Sequence, residues 1–120
     1  MTGNEPICST NAHQRTDVIR DLNDSFRANF EGGKVLVTHG IQSLGPAATL
    51  VIIQEVSRFK EFTRANDPHD EHDFGGFEYG NVTVFWKIDY YDGRLQFASP
   101  DPADPNVTTR VLTIMLASEY

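Results

Sequence analysis

At 120 residues with a formal net charge of −7, the chain fits one domain with its own core. It is poorly suited to nucleic-acid backbones or anionic membrane, both of which are bound through Lys and Arg. A 39% hydrophobic and 11% aromatic content excludes a disordered chain.

Cys8 is the single cysteine, so no intrachain disulfide can form. There is no signal peptide and no apolar run near the ~20 residues a membrane span needs, so a cytoplasmic location is expected. Residues 1–13, rich in Thr, Asn, Gly and Ser, read as a flexible tail, leaving 14–120 as a single α+β domain.

From about Gln14, Val18/Ile19, Leu22, Phe26 and Phe30 recur at helical spacing, with Arg15, Arg20, Asp21, Asp24 and Arg27 mostly on the opposite face. Gly32-Gly33 closes this helix. Lys34 to Thr38 is short, β-branched and apolar, as a buried strand is. Pro46 suits the first turn of a second helix, which the spacing of Leu50, Ile53, Val56 and Phe59, and of Ile52, Val56, Phe59 and Phe62, carries to about residue 62 as a largely buried element.

After a turn-rich loop, Phe77–Tyr79 reads as a strand, Gly80-Asn81 as a hairpin turn, and Val82–Tyr91 as a strand of clear alternation. Asp92-Gly93 predicts a second hairpin into a strand over 95–98. Pro100, Pro102 and Pro105 interrupt the chain, and Asp104-Pro105 reads as the cap and first position of a helix over 107–119. The expected order is α-β-α-β-β-β-α, a mainly antiparallel four-stranded sheet with helices packed on one face.

The charge is regional. Between Arg64 and Asn106 there are nine acids against three bases, and Asn66–Gly76 places four carboxylates beside His69 and His72. The region admits four readings. Imidazole and carboxylate together suit a divalent metal such as zinc, manganese or iron(II), with His72 and Asp73 the candidate ligands. A histidine beside carboxylates also suits acid–base work, for which the cast is His72, Asp73, Lys87 and Asp89. Equally, the acids cap a solvated turn, and Lys87 with Asp89 forms a structural pair. The remaining reading is a protein-binding face of Asp70, Glu71, Asp73, Asp89, Tyr91, Asp92, Asp101 and Asp104 that meets a basic partner. No nucleophile triad, phosphate loop or calcium loop is present.

Four blocks carry a resemblance: Glu71-His72-Asp73-Phe74-Gly75, Phe85 to Asp92, Ser99 to Asp104, and Thr109 to Ala117 followed by Glu119-Tyr120. Together they resemble a family of small alphaproteobacterial proteins of unknown function, often encoded on plasmids or mobile elements. The family pattern often has Tyr-Gly in place of His69-Asp70, which favours His72 over His69. The resemblance implies no activity, cofactor or catalytic residue. Its setting implies an accessory or anti-defence role, such as mimicry of nucleic acid. The expected function is thus binding of a basic protein partner through an acidic face, with no cofactor, no direct nucleic acid and no membrane. The alternative is a small metal-binding protein or hydrolase-like enzyme centred on His72 and Asp73.

Overall fold

The computed structural model describes residues 7–120, with side chains from Gln14 onward. Helix α1 (Ile7–Asn29) leads into strand β1 (Gly33–Val37), the one-turn helix α2 (His39–Gln42) and helix α3 (Pro46–Ser57). Strands β2 (Phe74–Tyr79), β3 (Val82–Tyr91) and β4 (Thr109–Leu116) follow, then a 3-10 turn over Ala117–Glu119. Part of the expected tail, residues 7–13, thus belongs to α1, and residues 1–6 lie outside the described residues. No described helix is long and apolar enough to cross a membrane.

The strands form one sheet in the order β1-β4-β3-β2. It is mixed: β1 pairs parallel to β4, while β4–β3 and β3–β2 are antiparallel. The α+β class and the four strands agree with the sequence reading, but two elements do not.

The helix expected over 107–119 is the central strand β4. Its adjacent apolar pairs mimic helical spacing, yet a strand enclosed on both sides is buried on both faces, as Arg110, Val111, Leu112, Ile114 and Met115 are. Thr109, Val111, Thr113 and Ile114 are β-branched and fit a pleated surface better than a helix. Asp104 caps a turn instead, accepting from the Asn106 and Val107 amides.

The strand expected over 95–98 is a loop. β4 occupies the edge of β3 that a third meander strand would need, and only an isolated bridge between Tyr91 and Ala98 remains. Asp92 closes this loop by accepting from the Arg94 and Gln96 amides.

The core lies on one sheet face, where Trp86, Ile88, Leu112 and Ile114 meet Phe26, Ile41, Ile52 and Val56 from the helices. α3 ends at Ser57 rather than near Phe62, and Leu50 and Val51 face solvent, so the helix is less buried than its apolar run suggests. Phe59 stays buried in the irregular segment that follows. β3 has the bounds expected for it, and the left-handed Gly80 (φ 60°) makes the tight turn into it.

Gly75 sits where a Cβ would come 2.5 Å from Trp86 Nε1 and 2.8 Å from the Phe59 ring. Gly75→Ala is therefore expected to destabilise by about 1–3 kcal/mol through overpacking, read as a lower urea midpoint. A wild-type midpoint would mean that the indole is not held against the β2 backbone.

Candidate metal centre

The loop after α3 enters β2 through a compact turn over residues 67–73. Asp67, buried beneath it, accepts from the Glu71 and His72 amides, both to Oδ1 at 3.1 Å. This clamps a backbone in which Asp70 and His72 are both left-handed at φ 57°. Left-handed non-glycine residues cost about 1–3 kcal/mol each and persist where surrounding contacts over-determine them.

Three side chains converge there. Oδ2 of Asp67 lies 3.6 Å and Oδ1 of Asp70 4.0 Å from Nε2 of His72. The ligand atoms of Asp67, Asp70 and His72 all fall within 4.8 Å of one another.

Each of the three is anchored by its other polar atom. Asp67 spends Oδ1 on the two loop amides. Asp70 spends Oδ2 on Arg20 of α1 at 2.9 Å. His72 directs Nδ1 at Asp24 of α1, 2.8 Å from Oδ1 and 3.1 Å from Oδ2. In a neutral ring this carboxylate partner holds the proton on Nδ1, which puts the lone pair on Nε2. The His72 ring also stacks on Phe62, with centroids 3.8 Å apart and planes 2° from parallel. The free atoms Oδ2, Oδ1 and Nε2 therefore face one another from fixed positions. Phe62, Thr63, Arg64, Asp67, Pro68 and Asp70 line an open cleft of about 590 Å³ beside them.

Behind the loop runs a buried polar network. Asn23, fully buried on α1, accepts from Arg110 Nε at 2.6 Å and donates to the Glu71 carbonyl (3.0 Å) and the Tyr90 hydroxyl (2.8 Å). Tyr90 in turn donates to Glu71 Oε1 at 2.9 Å. Burial raises the Tyr90 phenol far above its ordinary range, so it acts as a donor, and burial lowers the Arg110 guanidinium. Arg110 also donates to the Pro102 carbonyl, tying the proline-rich loop to the same hub.

The residues named from sequence fall into separate places. His72, Asp70 and Glu71 stand at this loop. Asp73 adjoins it but is not one of the converging three, and its carbonyl accepts from Ile88 of β3. His69 is exposed on the same loop.

Lys87 and Asp89 pair with each other at 2.9 Å on the sheet face opposite Trp86, the face on which strand alternation also puts Tyr91. Asp101 pairs with Arg15 at 2.6 Å, while Asp92 and Asp104 close turns. Asp24, Asn23 and Asp67 were not singled out as site residues. Asp67 was legible only as a turn residue, and Asp24 and Asn23 are 48 positions from their loop partners.

Burial raises the Asp73 carboxyl above its usual range, with Glu71 adding to the effect. The folded state thus holds this proton more tightly than the unfolded one. The ionised carboxylate subtracts stability at neutral pH, and the penalty disappears as pH falls below the unfolded value. Asp73→Asn is expected to be more stable than the wild type at pH 7, the gap closing towards about pH 3. Urea unfolding at the two pH values checks this, and a gap that widens in acid would refute it.

Among known proteins, no curated protein and no solved structure matches this chain. One family does, over residues 37–119, under the description "Protein of unknown function (DUF3768)". The match contains the Asp67–His72 loop and excludes α1, which supplies Asp24 and Asn23. Covering more than half of the sequence, it places the chain in the DUF3768 family.

Proposed function

We propose that the protein binds a divalent transition metal through Asp67, Asp70 and His72, with Asp24 orienting the imidazole. The supporting observation is that each of the three residues has its second polar atom tied down, leaving one ligand atom apiece, and these atoms lie within 4.8 Å of one another. Two carboxylate oxygens and one imidazole nitrogen suit zinc, manganese or iron(II). Three protein ligands beside an open cleft leave a coordination position for a ligand from solvent, as catalytic sites do and closed structural sites do not. A metal held this way supplies Lewis acidity for hydrolysis-type chemistry.

The chain's own residues do the rest. Asp24 fixes the tautomer, Phe62 fixes the ring plane, and Arg20 holds Asp70 in place. Calorimetric titration of chelator-treated protein with zinc and with manganese tests the reading. One saturable site per chain is expected, and no binding of either ion would overturn it.

A second reading, an acidic face for a basic protein partner, draws support from the loop between β3 and β4. Leu95, Phe97 and Val107 are exposed there, Phe97 at 71%, among Asp92, Asp101 and Asp104. Exposed apolar anchors in an acid-rich loop suit a partner with a basic rim around an apolar pocket. Such a surface would serve the accessory or anti-defence role implied by the mobile-element resemblance, in a cytoplasmic setting. Phe97→Ser should abolish capture of such a partner while leaving metal titration unchanged, and undiminished capture would refute this reading.

A further inference from the structure

A second cleft, of about 390 Å³, shares Phe62 with the first and lies between α1 and the segment following α3. In a chain of net charge −7 it is lined by three cations, Arg27, Arg58 and Lys60, against one carboxylate, Asp24. Arg58 and Lys60 are exposed, and among the described residues neither side chain makes a hydrogen bond or ion pair.

Arg27 is the unusual member. It is only 5% exposed, yet its Nε and Nη1 are buried with no acceptor. Only Nη2 is used, donating to the Phe59 carbonyl at 3.1 Å and to Asp24 at 3.3 Å. That carboxylate already accepts from His72 at 2.8 Å. The Trp86 and Phe62 rings, 4.8 and 5.2 Å from the guanidinium carbon, offset part of the desolvation but offer no lone pair. Buried guanidinium groups are ordinarily matched by acceptors, and an orphaned N–H is costly.

The geometry points to this cleft as a binding site for a small organic phosphate. Its phosphoryl oxygens meet Arg58 and Lys60 over the buried charge of Arg27, whose Nε and Nη1 are closed to solvent, and its organic part lies on Phe59 and Phe62. A phosphate monoester suits the site better than a carboxylate because its two negative charges and three terminal oxygens match three cations. The apolar wall and a volume well beyond that of a bare phosphate account for the organic part. The proposal does not depend on a metal. The His72 ring contributes to the wall of this cleft, while its Nε2 is the atom nearest Asp67 and Asp70.

The test is calorimetric titration with phenyl phosphate, and separately with benzoate, in excess chelator so that the metal plays no part. Saturable phenyl phosphate binding is expected, tighter than benzoate. Affinity should fall by about tenfold or more in the double variant Arg58→Gln/Lys60→Gln, whose two positions are exposed and leave the fold intact by circular dichroism. In the wild type, the Arg27 Nε–H resonance should shift on adding phenyl phosphate. No saturable binding, an unchanged affinity in the double variant, tighter benzoate binding, or a stationary Arg27 resonance at saturation would each overturn the proposal.

Discussion

Replacing Asn23 by alanine is expected to cost about 3 kcal/mol of stability or more, a large share of the roughly 5–15 kcal/mol that holds a domain folded. Asn23 is fully buried and its amide is used at both ends: the oxygen takes Arg110 Nε, and the nitrogen serves the Glu71 carbonyl and the Tyr90 hydroxyl. Alanine would leave a buried cationic N–H without its acceptor and two oxygens without a donor. Removing one partner of a buried polar pair costs the full desolvation of what remains, about 1–3 kcal/mol per group and more for a charged one. The melting temperature should fall by about 10 °C.

Val18 is the instructive contrast. It belongs to the apolar stripe of α1 by sequence but is 42% exposed, so Val18→Ala should stay within about 0.5 kcal/mol. If Val18→Ala cost more than Asn23→Ala, α1 would be held by its apolar stripe and not by the polar hub.

The second large effect concerns metal affinity. His72→Gln removes the only nitrogen donor of the three-residue group and should weaken zinc binding by at least about a hundredfold, since loss of even an orienting partner typically costs 10–100-fold. Asp24→Asn, which keeps a side chain of the same size opposite Nδ1 but removes the carboxylate, should fall in that 10–100-fold range. Asp101→Asn provides the control. It removes an equal charge from the acidic region, but its pairing is with Arg15 and its place is the proline-rich loop, so affinity should not change. Comparable losses in all three variants would mean that zinc responds to net charge alone.

The parts of the fold legible in the sequence were those fixed by local geometry. Strand alternation sets β3 between Val82 and Tyr91, and the Gly80 turn and the strand at β1 follow from short-range residue preferences. What escaped was decided at long range. β4 is a strand because β1 and β3 flank it on both sides, and no pattern within residues 107–119 announces those neighbours. Their apolar spacing is compatible with either element.

The same division runs through the site. His72 stood out by its residue type among carboxylates. Asp24 looked like one of several charges on a solvent-facing helix stripe, and Arg27 beside it proved to be buried against Trp86 and Phe62. The acids expected to share one face each meet a local partner: Asp89 with Lys87, Asp101 with Arg15, Asp70 with Arg20, and Asp92 with its own loop amides.

The most direct measurement is X-ray absorption at the zinc edge of protein loaded with one equivalent of zinc. The arrangement of Asp67, Asp70 and His72 predicts a first shell of oxygen and nitrogen at about 2.0–2.2 Å, with outer-shell scattering from a single imidazole that disappears in His72→Gln. A shell with no imidazole, or one unchanged in that variant, would contradict the site.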